Sequence, residues 1–194
     1  MLLDIIKQFN WLDILLIIIL FRIAYIAMRI GIPVEFFKFL GAIIAVYLAM
    51  HYYTDLSDLL VQRVPVAKER MPLEFLDFLS FLFLAIVGYF IPVSFCVLFG
   101  RFIKMEATPN LNKWLGLVLG IVRAFLLASL ITFMLVISSS SYLKNSVVNS
   151  YLGRRVFNVA PNTYTWLWNK ITSKFMPGEK LNKTILEVQK DLNL

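Results

Sequence analysis

The sequence predicts an all-α integral membrane protein with four transmembrane helices and an amphipathic helical tail. Of its 194 residues 60% are hydrophobic and 16% are charged, whereas soluble domains average about 45–50% and about 25%. The apolar residues are concentrated in runs long enough to cross a hydrocarbon core of about 30 Å as helices. These runs cover residues 12–30, 34–53, 73–98 and 111–137. We therefore expect a transmembrane domain, residues 1–141, followed by a basic tail, residues 142–194.

The first span follows a short amphipathic segment, residues 1–10, which either lies in the membrane interface or is the frayed start of the same helix. Arg29 is close enough to the end of the span to reach the headgroups with its long side chain. Arg22 lies about two turns deeper, where a charge is costly unless it is paired or reaches water. Gly31 and Pro33 then end the helix and predict a very short turn.

The second span carries a charge at its start and a face of small residues along its length. Glu35 is in the predicted first turn, where a carboxylate suits the positive end of the helix. Gly41, Ala45 and Ala49 recur every four residues and so lie on one face. Small residues at this spacing let a second helix approach closely, which predicts a helix contact here.

His51 and Cys96 are the only histidine and the only cysteine in the chain. His51 could be a proton relay or a pH sensor, but we favour a polar tip in an aromatic belt with Tyr52 and Tyr53. A zinc site needs several clustered ligands, so no metal is predicted. A single cysteine excludes an intrachain disulfide.

Residues 54–72 are mixed in charge and predict a loop with one short surface helix. The third span has Asp77 near its start, and Gly88 and Pro92 inside it. A proline is tolerated in a transmembrane helix when neighbours satisfy the freed carbonyl. We expect Pro92 to give a static kink rather than a hinge.

The fourth span combines a small-residue face with a charge. Gly116 and Gly120 are one helical turn apart and predict a second close helix contact. Arg123 lies well inside the span, where a charge costs at least ~2.5–3.5 kcal/mol and so faces protein or water. Arg22 is a comparable arginine in the first span, on the same side of the membrane, and either reaches the headgroups or pairs internally; we expect Arg123 to support packing and orientation near that interface.

The tail has apolar residues at helical spacing among lysines and arginines, which predicts amphipathic helices. Trp166, Trp168 and Phe175 beside lysines favour a location on the membrane surface, against anionic lipid headgroups. Basic residues next to apolar spans are typical of membrane topology, so nucleic acid is not a predicted partner.

An even number of spans places both termini on the same side of the membrane. The two short connectors are residues 31–33 and residues 100–110, which contain Arg101 and Lys104. Together with the helix ends beside them, they have more lysine and arginine than the 54–72 loop, which is also flanked by acidic residues. Lysine and arginine in short loops set orientation toward the cytoplasm. The charge pattern therefore predicts that both termini lie outside the cytoplasm.

Several motifs occur in a fixed order along the chain: NWLD with Asp13, Arg22 and Gly31 leading to Glu35, YLAMHYY, and LNKWLGLVLGIVRAFLL. Together they resemble the colicin V production protein family of bacterial inner-membrane proteins, over roughly residues 10–161. The last motif is similar to the family's Gly-xxx-Gly-xx-Arg pattern. In one departure, Ile23 and Ala124 follow the arginines, where the family often has glycine.

The resemblance implies a four-helix inner-membrane protein required for colicin V export or production, with no established chemistry. The same module resembles one fused ahead of trypsin-like periplasmic proteases, which would place the C-terminus outside the cytoplasm. The resemblance implies no catalytic residue and no cofactor.

Two classes of function remain after the sequence is considered. The first is a non-enzymatic scaffold or accessory factor that binds other membrane proteins or itself through its small-residue faces. The alternative is a component of an oligomeric small transporter or channel, because intramembrane charges mark candidate pathways. Those charges are Asp13, Arg22, Glu35, Asp77 and Arg123. An enzyme is not predicted, because the sequence shows no nucleophile elbow or paired catalytic residues at a fixed spacing.

Overall fold

The computed structural model describes residues 9–63, 71–99 and 109–192. Four long helices dominate: α1 (Trp11–Ile30), α2 (Ile32–Arg63), α3 (Leu73–Phe99) and α4 (Pro109–Ile137). Each is long and apolar enough to cross a membrane, and the described ranges contain no strand. The predicted all-α membrane fold is confirmed.

The tail forms a series of shorter helices after Ile137. These are α5 (Ser141–Val148), α6 (Tyr151–Phe157), α7 (Val159–Leu167), a π-helical turn (Trp168–Thr172), α8 (Ser173–Phe175) and α9 (Lys183–Leu192). The amphipathic segment expected at residues 1–10 and the basic connector expected at 100–110 lie largely outside the described residues.

The second helix is longer than the sequence analysis expected. α2 continues to Arg63, so the predicted loop at residues 54–72 is wrong for its first part. The extension is helical because it packs along α3: Ser57, which is 1% exposed, donates a hydrogen bond from its hydroxyl to Asp77. Residues 64–70 lie outside the described part of the chain.

The turn between α1 and α2 is a single residue. Gly31 has a φ of 85°, a backbone conformation that residues with a side chain rarely adopt. A Cβ at this position would also overlap the side chain of Asn112 on α4. The Asn112 amide oxygen accepts a hydrogen bond from the backbone N–H of Ile32 at 2.7 Å, so α4 caps the start of α2. We call this end of the bundle the turn end.

Small residues form the contacts between helices. A Cβ on Gly120 would overlap that of Ala27 on α1, and one on Gly116 would lie 2.9 Å from the Ala27 carbonyl oxygen. Between α2 and α3, a Cβ on Gly41 would lie 2.6 Å from the carbonyl oxygen of Tyr89. Gly88 faces Ala45 in the same way, and the neighbouring Ala49 is fully buried. Thus α1 packs closely on α4, and α2 on α3.

The central helix is α4, which contacts α1, α2 and α3 and also α5, α6 and α7 of the tail. In the apolar part of its span 61% of the residues are buried, compared with 17–33% in the other three spans. The ring of Phe133 on α4 stacks on Phe81 of α3 and on Phe157 of the tail, at centroid distances of 5.4 and 5.6 Å. The tail therefore shares one hydrophobic core with the transmembrane helices.

A serine of α4 holds the junction between helices α6 and α7, which are separated only by Asn158. The Ser129 hydroxyl donates to the carbonyl oxygen of Phe157 at 2.7 Å and accepts from the N–H of Ala160 at 2.8 Å. All three residues are fully buried. Backbone groups away from water require such partners, and Ser129 supplies both at the junction between the two helices. We call Tyr151–Leu167 the α6–α7 segment.

Replacing Ser129 with alanine should loosen the α6–α7 segment. The change leaves a buried N–H and a buried carbonyl without this partner, at a cost of about 1–3 kcal/mol. We expect a lower melting temperature in detergent and faster proteolysis of the tail. The matched control is Ser138→Ala, because Ser138 follows the end of α4 and its hydroxyl donates to the nearby carbonyl of Leu135, not to the tail. Equal effects of the two substitutions would contradict this role for Ser129.

Candidate functional site

A buried ion pair joins α2 to α4. The Arg123 Nη2 atom lies 3.0 Å from Oε2 of Glu35, and the two residues are 4% and 0% exposed. Arg123 also donates from Nη1 to the Tyr89 hydroxyl of α3 at 2.8 Å. On the other side, Lys38 Nζ lies 3.4 Å from Oε1 of Glu35. We call Glu35, Arg123, Tyr89 and Lys38 the intramembrane cluster.

The intramembrane cluster neutralises charges that would otherwise be costly in hydrocarbon. Glu35 is in the first turn of α2, as the sequence predicts, but its partner is Arg123. Arg22, in contrast, is exposed on the surface of the described bundle. The structure therefore separates two arginines that looked comparable in the sequence: Arg123 holds three helices together, and Arg22 is available to headgroups or to a partner.

Asp13 ties the start of α1 to the tail. Its carboxylate accepts from the N–H of Asn10 at 2.9 Å, the hydroxyl of Ser150 at 2.7 Å and the N–H of Leu152 at 2.7 Å. The side chain of Asn10 in turn accepts from the Asp13 N–H, which completes a reciprocal capping box. Asp13 is fully buried, so its charge is used within the fold. Asp77 likewise accepts from Ser57 within the α2–α3 contact.

His51 is the centre of a polar cluster that the sequence analysis missed. It is 6% exposed, and its Nδ1 lies 2.8 Å from the hydroxyl of Tyr164. Its Nε2 lies 2.8 Å from Oε2 of Glu179, which also accepts from the Tyr52 hydroxyl. Because Tyr164 and Glu179 belong to the tail, these contacts fasten the tail to α2. We call His51, Tyr164 and Glu179 the tail latch.

The tail latch uses both ring nitrogens of His51, Nδ1 at Tyr164 and Nε2 at Glu179. Burial raises the pKa of Tyr164 to about 12, although the backbone N–H of Asn182, which donates to the same oxygen, lowers it. Tyr164 therefore keeps its proton at neutral pH. Tyr47 and Trp168 stack on the imidazole at 5.2 and 5.1 Å and restrict its movement.

Replacing His51 with phenylalanine should release the segment around Glu179. The buried Tyr164 hydroxyl loses its hydrogen-bond partner on His51, at a cost of about 1–3 kcal/mol, which is on the order of a fivefold to hundredfold increase in opening. We expect trypsin to cleave at Lys180 correspondingly faster. The control is Tyr52→Phe, which removes the hydroxyl that donates to the exposed Glu179 carboxylate but leaves the His51–Tyr164 contact in place. Cleavage as slow in the His51 variant as in the wild type would show that the latch does not hold the tail.

An apolar groove runs along α4 between α1 and α3, with a volume of about 340 Å³. Its floor is formed by α4 and its walls by one residue of α1 and several of α3. The lining includes Ile19, Phe81, Ala85, Ile86, Tyr89, Leu127, Ile131 and Met134. Tyr89 links the two sites, because its ring lines the groove and its hydroxyl belongs to the intramembrane cluster.

Comparison with known proteins agrees with the resemblance in the motifs. The model of the family described as colicin V production protein matches residues 12–161. The chain belongs to this family. No curated protein matches the chain, and no solved structure does. Membership of the colicin V production family, together with four candidate spans, makes the chain a multi-pass membrane protein with a role in colicin V production.

The family match also divides the sites. The intramembrane cluster, Asp13 with its partners Ser150 and Leu152, and the junction between α6 and α7 all lie within the matched residues. The tail latch crosses the boundary, because His51 lies inside the match while Tyr164 and Glu179 lie beyond residue 161. No sequence signal could have found the latch, since its partners are 113 and 128 positions from His51.

Proposed function

We propose that this member of the colicin V production family is a non-enzymatic scaffold of the bacterial inner membrane. In this proposal it holds a transmembrane helix of another envelope protein in the groove between α1 and α3. The groove is the single observation that carries the proposal. It leaves Leu127, Ile131 and Met134 of the central helix accessible between α1 and α3, while α4 also contacts α2 and the tail.

The chemistry of the groove suits a helix better than a polar solute. Its described lining is almost wholly aliphatic and aromatic, and Ala85 leaves room for close approach. Helices associate in lipid through such close packing rather than through the hydrophobic effect. The buried charges support the same conclusion, since Glu35 and Arg123 neutralise each other and the carboxylate oxygens of Asp13 are used in the cap.

The proposed orientation has the turn end in the cytoplasm and both termini on the periplasmic side. At the turn end, Arg29, Lys38 and Lys113 are present, and the carboxylate of Glu35 is already paired with Arg123. At the opposite end, Arg63 adjoins the α2–α3 connection beside four acids, Asp55, Asp58, Glu74 and Asp77. The larger number of lysines and arginines at the described turn end favours a cytoplasmic location for it under the positive-inside rule. The test is a reporter enzyme that is active only in the cytoplasm, fused to the C-terminus. Activity of this fusion would overturn the orientation.

A photo-crosslinking experiment tests the scaffold proposal. A photoreactive phenylalanine at Ile86, in the groove, should capture one defined membrane protein in cells that produce colicin V. The same residue at Val97 is the control, because Val97 is on the same helix, 76% exposed and outside the groove. Ala85→Trp should abolish both the adduct and colicin V secretion, whereas Val97→Trp should leave them unchanged.

The alternative function, an oligomeric small transporter or channel component, predicts different results. Purified protein in liposomes would then conduct an ion or solute, and Arg123→Ala would change that flux. Such flux would overturn the scaffold proposal. If adducts formed only between copies of this chain, the occupant of the groove would be a second copy of the chain and not a helix of another protein.

A further inference from the structure

A recess with a volume of about 480 Å³ lies at the corner between α5 and α6, away from both the groove and the tail latch. Two arginines, Arg154 and Arg155, are exposed at its edge. The rest of its lining is Val148, Asn149, Ser150 and Tyr151, so no acidic side chain is among the described residues that line it. The recess is therefore a concave surface with two positive charges.

The backbone around this recess is held firmly in place. The Ser150 hydroxyl donates to Asp13 and accepts from the N–H of Gly153 at 2.7 Å, which caps α6. The N–H of Leu152 donates to the same carboxylate. These bonds fasten the corner to the first turn of α1. The carboxylate oxygens of Asp13 already accept these hydrogen bonds and the residue is fully buried, so Asp13 is not a partner for the arginines.

The guanidinium groups are available to a ligand. Arg155 stacks over the ring of Tyr151, with its Cζ atom 3.8 Å from the ring centroid. This contact orients the planar group and leaves its N–H donors free to bind a second group. Within the described ranges, neither Arg154 nor Arg155 forms a salt bridge. Arginines in pairs are well suited to bidentate recognition of phosphate.

The aromatic side chains around the corner indicate its depth in the membrane. Phe9 stacks with Tyr151 at 6.1 Å, and Trp11 stacks with Tyr142 at 6.5 Å. Trp11 is the first residue of the first span and is 39% exposed, and Tyr142 is 67% exposed. Exposed tryptophan and tyrosine side chains at the end of a span are typical of the headgroup level. The arginines therefore lie where lipid phosphates are.

We propose that this recess binds the phosphate of an anionic phospholipid, with Arg154 and Arg155 as the phosphate ligands. The site requires only that the four helices span a membrane, and it does not depend on the scaffold role of the groove. Bound lipid would join the start of α1 to the tail through the residues that Asp13 already connects. Inorganic phosphate has the same binding chemistry, so the experiment must distinguish the two sources.

The test measures lipid binding by native mass spectrometry of the full chain released from detergent. Phosphatidylglycerol should bind the wild type at least tenfold more tightly than phosphatidylcholine, and Arg154→Gln with Arg155→Gln should remove that preference. The matched control is Lys170→Gln with Lys174→Gln, which removes two exposed charges elsewhere in the tail. An equal loss in the control would show a general attraction to basic residues and overturn the site.

Two further measurements distinguish lipid from free phosphate and specific binding from loss of folding. Millimolar inorganic phosphate should not displace phosphatidylglycerol; complete displacement would overturn the lipid assignment in favour of a free anion. If the double glutamine variant fails to remain folded, as judged by gel filtration, Arg155→Lys is measured instead. It keeps the charge but loses the planar fork, so lipid preference should fall at least threefold. An unchanged preference would contradict phosphate recognition by Arg155.

Discussion

Replacing Arg123 with methionine should destabilise the bundle more than any other single side-chain truncation we describe. Glu35 would remain fully buried with only the longer contact to the partly exposed Lys38, and breaking a buried ion pair on one side costs about 3–5 kcal/mol. The tie from Arg123 to Tyr89 would also be lost. The measurement is the melting temperature of the purified protein in detergent, with equilibrium unfolding to obtain the free energy.

The double variant Glu35→Met with Arg123→Met distinguishes an unpaired charge from lost packing. Removing both charges of a buried pair is often close to neutral, so most of the stability should return. A double variant as unstable as Arg123→Met alone would mean that the ion pair is not the source of the loss. Tyr89→Phe removes one hydrogen bond and should cost only about 0.5–3 kcal/mol.

Replacing Gly120 with leucine should separate α1 from α4. Even a Cβ at this position overlaps the Cβ of Ala27, so a larger side chain cannot fit without moving a helix. Overpacking costs about 1–3 kcal/mol and occasionally more, and we expect at least about 3 kcal/mol here because the conflict involves a short, rigid side chain. The loss should exceed that of Arg123→Lys, which keeps a positive charge beside Glu35. Unfolding in detergent again gives the comparison.

Two controls isolate the steric cause. Gly178→Leu introduces the same side chain where a Cβ would have nothing within 4 Å, so it should be nearly neutral. Gly120→Ala should be rescued by Ala27→Gly, because the pair exchanges the positions of one methyl group. Failure of that rescue, or equal tolerance of Gly120→Leu and Arg123→Lys, would show that this contact does not hold the two helices together.

Some features of the site were accessible from sequence because their signals are local. Gly116 and Gly120 lie one turn apart in the sequence and one turn apart on α4, so their shared face could be predicted. Asp13 is three residues after Asn10, a spacing from which a helix start can be recognised. The length of α2 beyond residue 53 could not be predicted in this way. Its polar residues are typical of a loop, and only packing against α3 keeps them helical.

By itself, the sequence determined the fold class, the four spans and the family, and it predicted which faces carry small residues. Hydropathy, helical spacing and ordered motifs are read along the chain, so these conclusions need no knowledge of which helix is the neighbour. Only the tertiary structure decided the partners. Arg123 is 88 positions from Glu35, Ser150 is 137 from Asp13, and Glu179 is 128 from His51. Periodicity tells which side of a helix a residue is on, whereas the partner depends on how the helices assemble.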